Sequence, residues 1–476
     1  MTGPSTAAFI AEHAPWLREL SDRIWESPEL GLQEAQSSEV LAGALERQGF
    51  RVERGVAGMP TAFVAEAGSG GPVIALLGEY DALPGLSQVR GALEHTPLIV
   101  GGPGHGCGHN LLGTAAAGAA MAVKAAIERG EIKGTVRFYG CPAEETLVGK
   151  VFMVKAGLFD DVDCALTWHP GSTNGVWTSS LLAMNSAKFT FYGVASHAAA
   201  APEAGRSALD AVELMNVGVN FLREHVAGGV RIHYVITDGG LGPNVVPNRA
   251  QVWYYVRAPK RDEVEAVYQR VLDIAKGACL MTGTTHEVRL ICGCSDILAN
   301  RTLGELLQAQ LEAIGPPAFD PEERELARKL QATFEPKEVD RAFERLNRRG
   351  AKLGRRGEPD AELFAGVTDH GGYGEAGGGS TDVGDVSYVV PTAQINTVTA
   401  PIGTPGHSWQ NVVAVGSSLG QKGMLYAAKV LAAASCELMR APELVAKARA
   451  EFAAATRERP YVSPVRDVAG PPVGEG

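Results

Sequence analysis

The stretch Val73-Ile-Ala-Leu-Leu-Gly-Glu-Tyr-Asp-Ala-Leu-Pro-Gly85 decides the fold class. Its first part, Val73 to Leu77, is a short apolar run, and such a run before a turn is typical of a buried strand. The turn that follows carries two carboxylates, Glu79 and Asp81. In open α/β sheets, functional residues lie beyond the carboxyl ends of the strands. The stretch therefore predicts an α/β domain with a functional site at this turn.

Further motifs along the chain share one property: each places a Cys, His, Asp or Glu at the end of a predicted strand or the start of a predicted helix. They are GHGCGHN (104–110) before a helix over 110–129, PAEET (142–146) after a strand over 134–140, TWHP (167–170) ending a strand over 165–168, and PGHSWQN (405–411) before a helical region over 413–455. Helices are also predicted over 6–25 and 34–48. Strands alternating with helices predict a mainly parallel sheet, and these motifs should meet at one edge of it.

The pattern changes near Ala187, where a second domain is predicted. Strands and helices follow in the order β-α-β-β-α-β, which is the ferredoxin-like arrangement. The predicted elements are strands over 187–193, 231–237, 251–257 and 286–291, and helices over 206–225 and 261–280. We therefore expect an inserted α+β domain at 186–297, a catalytic domain formed by 1–185 and 298–476, a charged helical stretch at 301–356, and a disordered Pro/Gly-rich tail at 457–476.

Composition excludes several classes of protein. A chain of 476 residues is too long for one hydrophobic core. A net charge of −11 argues against nucleic-acid binding, which needs a basic face. Neither a signal peptide nor an uncharged apolar stretch of membrane-spanning length is apparent, so no membrane association is expected. The seven scattered cysteines do not resemble a disulfide framework, so a reducing, cytoplasmic location is expected.

Five residues from the strand-end motifs form a candidate metal site: Cys107, His109, Glu145, His169 and His407. Five protein ligands exceed what one tetrahedral ion takes and suit two ions that share a bridging group. Thiolate and imidazole favour zinc, while manganese or cobalt remain alternatives. Any one of these side chains alone would more often be structural, so the hypothesis depends on the whole set.

Glu144 and Glu145 are adjacent, and in an extended segment their side chains would point in opposite directions. One carboxylate could then face a metal ion while the other acts as general base for amide hydrolysis. Alternatively, both glutamates mark a helix N-terminus, where the helix dipole favours negative charge.

GEYDALPG, GHGCGHN, PAEET, WHP and GHSWQN, in this order, resemble the aminoacylase and glutamate-carboxypeptidase type of metallopeptidase. The branch with a Cys-Gly-His ligand motif contains plant auxin-conjugate hydrolases and aminobenzoyl-glutamate hydrolases. NVVPNRA and GGGSTDVGDVS extend the similarity toward the latter, over the region from about Pro28 to Trp409. The resemblance implies a two-metal peptidase domain with an inserted domain that serves as a dimer interface and as a lid over the substrate.

The resemblance also implies a role for individual residues. Cys107, His109, Glu145, His169 and His407 fall on the metal-ligand positions, and Glu144 falls on the general base. Asp81 would orient a ligand, and His197 would reach across a dimer interface to stabilise the oxyanion. Asn244 and Arg257 would bind the substrate carboxylate. Without the resemblance, His197 would be interpreted as a strand end and Asn244 as a turn residue.

Three further positions need comment. Glu79 stands where many relatives have a metal-binding histidine, and whether it contacts a metal stays open. His105 could share a helix face with His109, but a structural or ligand-orienting role is favoured. The glycines at 377–379 lack the pattern of a phosphate-binding loop, so Gly379 and Ser380 are interpreted as a loop that approaches the substrate.

The expected function is hydrolysis of a small N-acyl amino acid, such as aminobenzoyl-glutamate, by a water molecule that bridges two divalent ions and is activated by Glu144. A dipeptidase acting on β-alanyl or other small dipeptides is the alternative enzyme. A non-catalytic metal-binding subunit of a heteromeric amidohydrolase is the alternative of another class. A homodimer is expected, or else a complex with a homologous second subunit. A redox role for Cys107 is disfavoured because no Cys-x-x-Cys arrangement is present.

Overall fold

The structure is a computed structural model that describes residues 3–348, 351, 353, 356–358 and 361–474. The described helices are α1 (Gly3–Glu12), α2 (Ala14–Glu26), α3 (Ala35–Arg47), α4 (His109–Glu128), α5 (Gly149–Lys155), α6 (Ala208–Leu222), α7 (Arg261–Thr282), α8 (Arg301–Ile314), α9 (Pro321–Gln331), α10 (Pro336–Arg348), α11 (Val383–Ser387), α12 (Trp409–Val415), α13 (Ser418–Arg440) and α14 (Pro442–Glu458). The described strands are β1 (Arg51–Arg54), β2 (Phe63–Ser69), β3 (Val73–Glu79), β4 (Gly134–Cys141), β5 (Cys164–Gly171), β6 (Gly175–Val176), β7 (Ala183–Tyr192), β8 (Arg231–Asp238), β9 (Arg249–Ala258), β10 (Thr285–Cys294) and β11 (Thr392–Val398).

Seven strands form the larger sheet in the order β1-β2-β4-β3-β5-β11-β6. The four central strands, β4-β3-β5-β11, are parallel, whereas β1, β2 and β6 are antiparallel to their neighbours. Side chains of β3 alternate between two cores: Ile74 and Leu76 face one, and Ala75 and Leu77 face the other. This alternation is the period of two that a strand buried on both faces requires. The prediction of a mainly parallel sheet in an α/β domain is confirmed.

Helix α4 lies at the centre of one face of this sheet, against β3 and α13. Its alanines and glycines allow close packing, and Gly113 leaves room for the backbone at Glu79, since a Cβ there would lie 2.5 Å from Glu79 O. Among the described helices, α4 alone has the length and apolar composition of a membrane span. Because 83% of that window is buried inside the structure, the same features are those of a central core helix.

The second sheet is antiparallel, with strands in the order β10-β7-β9-β8. The chain order β7-α6-β8-β9-α7-β10 gives the predicted ferredoxin-like arrangement, with α6 and α7 packed on one face. The first strand begins at Ala183 and the last ends at Cys294, near the expected boundaries of 186 and 297.

Strands β7 and β10 contribute to the cores of both domains. Phe189 lies in the core of the inserted domain, whereas Met184 and Cys292 lie in the core of the catalytic domain. The pairing of β10 with β7 is irregular between Leu290 and Cys292, so Ile291 forms a bulge where the strand passes from one core to the other. The inserted domain is therefore joined to the catalytic domain by two paired strands.

The expectation of a disordered tail is wrong for residues 457–474. Helix α14 ends at Glu458, and the following segment packs on the catalytic domain, where Val465 is fully buried. The hydroxyl of Tyr461 donates to Asp385 Oδ1 at 2.9 Å, and Lys155 Nζ donates to Val465 O at 2.9 Å. A few apolar and aromatic side chains thus outweigh the Pro/Gly-rich composition. Glu475 and Gly476, and residues 349, 350, 352, 354 and 355 of the predicted helical stretch 301–356, lie outside the described residues.

Candidate metal centre and substrate cleft

The candidate ligands lie where β3, β4 and β5 end. Glu79 is the last residue of β3, Glu144 and Glu145 follow β4, and His169 lies near the end of β5. His109 is the first residue of α4, immediately after Gly108. Gly108 has φ of 82°, and a Cβ there would lie 2.9 Å from Pro170 Cγ, so only glycine fits between Cys107 and His109.

The five predicted ligands meet in two groups that share Cys107. One consists of Cys107, His109 and His169, the other of Cys107, Glu145 and His407, and within each group the ligand atoms lie within 4.8 Å of one another. Cys107 Sγ is 3.4 Å from His169 Nε2, and His407 Nε2 is 3.5 Å from Glu145 Oε2. Nε2 of His109 and Oε1 of Glu145 are buried without a hydrogen-bond partner among the described residues. Two adjacent divalent ions would satisfy these atoms, so the residues fit a two-metal centre.

Asp81 holds two of these ligands in place. Its Oδ1 accepts a 2.7 Å hydrogen bond from His109 Nδ1, and its Oδ2 accepts one from the backbone N–H of Glu145 at 2.9 Å. The first bond leaves Nε2 of His109 as the atom that faces the centre. His169 is held likewise, because its Nδ1 donates to Pro170 O at 2.8 Å.

Glu144 and Glu145 diverge, but not in the way we expected from an extended segment. Residues Glu144–Thr146 form a 3₁₀ turn, flanked by Ala143 (φ 54°) and Leu147 (φ 60°) in the left-handed region. Glu144 Oε2 lies 3.9 Å from His109 Nε2, whereas Glu145 groups with Cys107 and His407. The divergence thus comes from the sharp turn and not from strand alternation, and Glu144 remains beside the centre as a candidate base.

Burial changes the acid–base properties of this cluster. It raises the pKa of Glu144 well above its usual range, and the negative charges of Glu79 and Glu145 add to the effect. Burial also raises the pKa of Glu145 to about 7 and that of Cys107 to about 12. The pKa of His169 is lowered by burial and by the neighbouring His109. Positive charge in the centre would therefore be needed to hold all three acidic groups ionised at neutral pH.

Three buried residues beside the centre were not predicted. Glu79 Oε1 lies 2.7 Å from Lys150 Nζ, and that ammonium also contacts Asp382. Glu34 Oε1 accepts a 2.7 Å hydrogen bond from the backbone N–H of Ala143, next to Glu144. The sequence signal for Lys150 was its place in the otherwise apolar run GKVFMV of α5. The signal for Glu34 was weak, since a glutamate before a helix is ordinary.

His105 lies outside the ligand groups. Its ring is fully buried, and Nε2 lies within hydrogen-bond distance of Ile24 O at 3.0 Å. Burial lowers its pKa to about 4, so the ring is neutral and joins α2 to the loop before α4. This position agrees with the structural role that the sequence analysis favoured.

A cleft of about 560 Å³ opens over the centre. The predicted substrate residues Arg257, Gly379 and Ser380 lie in its wall, which otherwise includes Glu79, Cys107, Glu144, Glu145, Leu147, His169, Trp177, Leu181, Tyr255, Gly378, Thr381, Thr404, His407 and Asn411. Nε of Arg257 and Oγ of Ser380 are buried and have no hydrogen-bond partner among the described residues. The guanidinium lies over the ring of Tyr255, 5.1 Å from its centroid. The cleft therefore offers a cation and a hydroxyl to a ligand.

His197 and Asn244 do not lie in the wall of this cleft. Both are exposed on loops of the inserted domain and are close to each other, since Ala198 N donates to Asn244 O at 3.0 Å. The backbone N–H groups of Ala199 and Ala200 donate to Nδ1 of His197 at 3.2 and 3.1 Å. The predicted roles of His197 and Asn244 thus require a second chain and stay predictions.

Comparison with known proteins places the chain in a known group. The profile of Peptidase family M20/M25/M40 matches residues 75–343. One of the subunits of p-aminobenzoyl-glutamate hydrolase of Escherichia coli (strain K12) is 45% identical over 451 residues, 94% of each chain. Xaa-Arg dipeptidase of Homo sapiens is 30% identical over 481 residues, 97% of this chain and 94% of the relative. A dinuclear metal-binding peptidase of the M20 family from Bacillus subtilis has the same fold, with a TM-score of 0.52 and 18% identity over 90% of this chain and 99% of that one.

Proposed function

We propose, since this chain belongs to Peptidase family M20/M25/M40, that it hydrolyses the amide bond of aminobenzoyl-glutamate or of a closely similar N-acyl amino acid. The observation that carries this proposal is the pair of ligand groups sharing Cys107, with Glu144 beside them at the floor of the cleft. A centre of this kind, next to a buried carboxylate, is suited to amide hydrolysis.

The amino-acid part of the substrate is proposed to bind at Arg257. Its guanidinium lies in the cleft wall over Tyr255, and a planar guanidinium can hold a carboxylate through two hydrogen bonds. Trp177 and Leu181, also in the wall, give an apolar surface for an aromatic acyl group. A relative at 45% identity is named for aminobenzoyl-glutamate, which has both parts.

Glu144 is proposed to act as the general base. Two divalent ions bound at the ligand groups would polarise the amide carbonyl and make a water molecule more acidic. Glu144 accepts a proton from the attacking water and later donates it to the leaving amine. Its elevated pKa suits the second step, because a carboxyl group with a pKa nearer neutrality is a better proton donor to an amine.

We further propose a homodimer in which His197 of one chain completes the cleft of the other and stabilises the oxyanion. The outer strand of the second sheet, β8, exposes Tyr234, Val235 and Ile236, with relative exposures of 38%, 54% and 41%. An apolar strand edge of this kind is suited to pairing with another chain. Asn244 lies beside His197 and would enter the partner's cleft together with it.

Zinc is the proposed metal, with manganese or cobalt as alternatives, because a thiolate and several imidazoles favour zinc. A cytoplasmic location is proposed because all seven cysteines are free thiols. The oligomeric proposal has a rival, a heteromer with a homologous subunit, because the 45% identical relative is named as one subunit of its enzyme. The presence of Glu144 and all five ligands supports an active chain over a purely structural subunit.

A second candidate activity is cleavage of small dipeptides, since a relative at 30% identity is named Xaa-Arg dipeptidase. The test is hydrolysis by the purified protein of aminobenzoyl-glutamate, other N-acyl amino acids, β-alanyl dipeptides and dipeptides ending in arginine. Each assay is run before and after chelation and after addition of zinc, manganese or cobalt. Chelator-sensitive release of glutamate supports the proposal, and preferential release of arginine supports the dipeptidase. No hydrolysis by a folded, metal-loaded homodimer would contradict both and favour the heteromer.

A further inference from the structure

Lys150 lies behind the metal ligands, in α5, and its side chain is fully buried. Nζ is 2.7 Å from Glu79 Oε1 and 2.5 Å from Asp382 Oδ1. The backbone N–H of Lys150 also donates to Asp382 Oδ2 at 2.8 Å. Removing an ammonium from water is costly unless anionic partners replace its hydration, so these two carboxylates are what keep Lys150 charged in the interior.

The ion pair assigns different roles to the two oxygens of Glu79. Oε1 contacts Lys150, which leaves Oε2 facing the centre, 3.4 Å from Nε2 of His109. Glu79, His109 and Glu144 form a third group whose ligand atoms lie within 4.8 Å of one another. A carboxylate without such a partner could present either oxygen or turn away. Lys150 therefore fixes how Glu79 faces the ion that His109 would hold.

The same ammonium reaches the wall of the cleft through Asp382. This residue follows Gly378, Gly379, Ser380 and Thr381, which line the cleft, and it lies at the start of α11. Asp382 is fully buried and accepts hydrogen bonds from both nitrogens of Lys150. One buried lysine thus joins the metal-facing carboxylate to the loop that contacts the substrate.

We infer that Lys150 is a positioning residue: it holds Glu79 with one oxygen toward the ion bound at His109, and through Asp382 it fixes the loop 378–381 against the same centre. The inference rests on the proposed function for the presence of the two ions, but it does not depend on which amide is cleaved.

The test measures metal binding and needs no substrate. The chelator-stripped protein is titrated with zinc in competition with a chromophoric chelator, and with cobalt(II) followed by its visible spectrum. Lys150→Met is expected to weaken the binding of one of the two ions by roughly 10–100-fold, to leave the other unchanged, and to alter the cobalt spectrum. Lys260→Met is the matched control, since Lys260 also pairs with a buried carboxylate, Asp296 (2.9 Å), away from the cleft.

Where Lys150→Met does not fold by circular dichroism, Glu79→Gln decides, because it keeps the shape of Glu79 and leaves Lys150 paired with Asp382. It is expected to weaken the same single ion, and the double variant Glu79→Gln/Lys150→Met is expected to resemble it. Unchanged affinity for both ions in a folded Lys150→Met or Glu79→Gln protein would overturn the inference. An equal loss in Lys260→Met would overturn it too, since the effect would then be general. A failed hydrolysis assay with these affinities intact would count against the proposed function alone.

Discussion

Asp81 and His109 are joined by a 2.7 Å hydrogen bond between two side chains that are both fully buried. The bond fixes the imidazole with Nε2 toward the centre, and the other oxygen of Asp81 holds the backbone of Glu145. Although burial opposes ionisation of Asp81, the charge of His109 and their hydrogen bond lower its pKa. One carboxylate therefore orients ligands of both groups that share Cys107.

We expect Asp81→Asn to lower metal affinity by roughly 10–100-fold, because loss of the charge weakens the hold on the imidazole and on Glu145. Metal retained after dialysis against a weak chelator measures the effect. Asp385→Asn is the control, since Asp385 is also a fully buried carboxylate but lies outside the ligand groups and the cleft wall. Equal metal retention in both variants would show that Asp81 does not orient the ligands.

We expect Glu144→Gln and His197→Ala each to abolish most turnover, by roughly 10²–10⁴-fold for the base, with the metal retained. In dimers that exchange His197, co-expression of the two variants should restore about a quarter of the wild-type activity, because half of the dimers are mixed and each has one intact site. His225→Ala, at another exposed histidine of the inserted domain, should remain active. A mixture as inactive as its parents would rule out a shared site.

Metal binding should release protons. The pKa of Cys107 is raised to about 12 by burial, so its thiol is protonated at neutral pH and must ionise to bind an ion. The apparent affinity should therefore rise with pH, about tenfold per unit for each proton released. Calorimetry in buffers of different ionisation enthalpy counts the protons, and Cys107→Ser should release at least one fewer. A proton count near zero at neutral pH would contradict this assignment.

Arg257→Ala should raise KM for an N-acyl amino acid and lower kcat/KM by roughly 10–100-fold, the worth of a charge-assisted hydrogen bond. Arg257→Lys should recover only part of this loss, because an ammonium lacks the paired donors. Arg249→Ala is a control on the same strand, since Arg249 is exposed and pairs with Asp238 outside the cleft. If Arg257→Ala and Arg249→Ala have the same kinetics, the substrate carboxylate binds elsewhere.

Glu34 should make stability depend on pH. Burial, and then the charge of Asp81, raise the pKa of Glu34 from 4.5 to about 8, so the folded state favours the protonated form. This contribution is present below about pH 4.5 and is lost as the pH rises through about 8. Glu34→Gln stays neutral, and above about pH 8 its free energy of unfolding should exceed that of the wild type by a few kcal/mol. Parallel urea-unfolding curves for both proteins from about pH 5 to 9 would contradict this expectation.

The ligand set could be predicted because each ligand follows a strong local signal, an apolar strand or a glycine-rich helix start. A parallel sheet collects such strand ends at one edge, so sequence neighbours such as Gly78 and Glu79 indicate a position in space. The inserted domain was predictable for a similar reason, since its strands and helices alternate with clear periodicity.

Other features left little trace in the sequence. Strand β11 is central in the sheet but was not predicted, because buried polar residues such as Thr392, Gln394 and Thr397 hide its apolar pattern. The helix predicted over 6–25 is divided at His13, since Pro15 fits only the first turn of a new helix.

The turn at Glu144 depends on left-handed backbone at Ala143, a conformation that no residue type other than glycine signals. The partnership of Lys150 with Glu79 and Asp382 joins three distant segments, and no local pattern reports such a contact.

The bulge at Ile291 has a consequence for motion of the inserted domain. Because β7 and β10 pass from one core into the other, the two domains share a continuous two-stranded ribbon instead of a loose linker. A bulge interrupts the hydrogen-bond ladder and leaves one residue unpaired, so it is the most pliable point of that ribbon. Opening and closing of the cleft would then be a bending of the ribbon, with a hinge inside a strand. The regular pairs Val288–Phe189 and Gly293–Asn185 on either side would limit its amplitude.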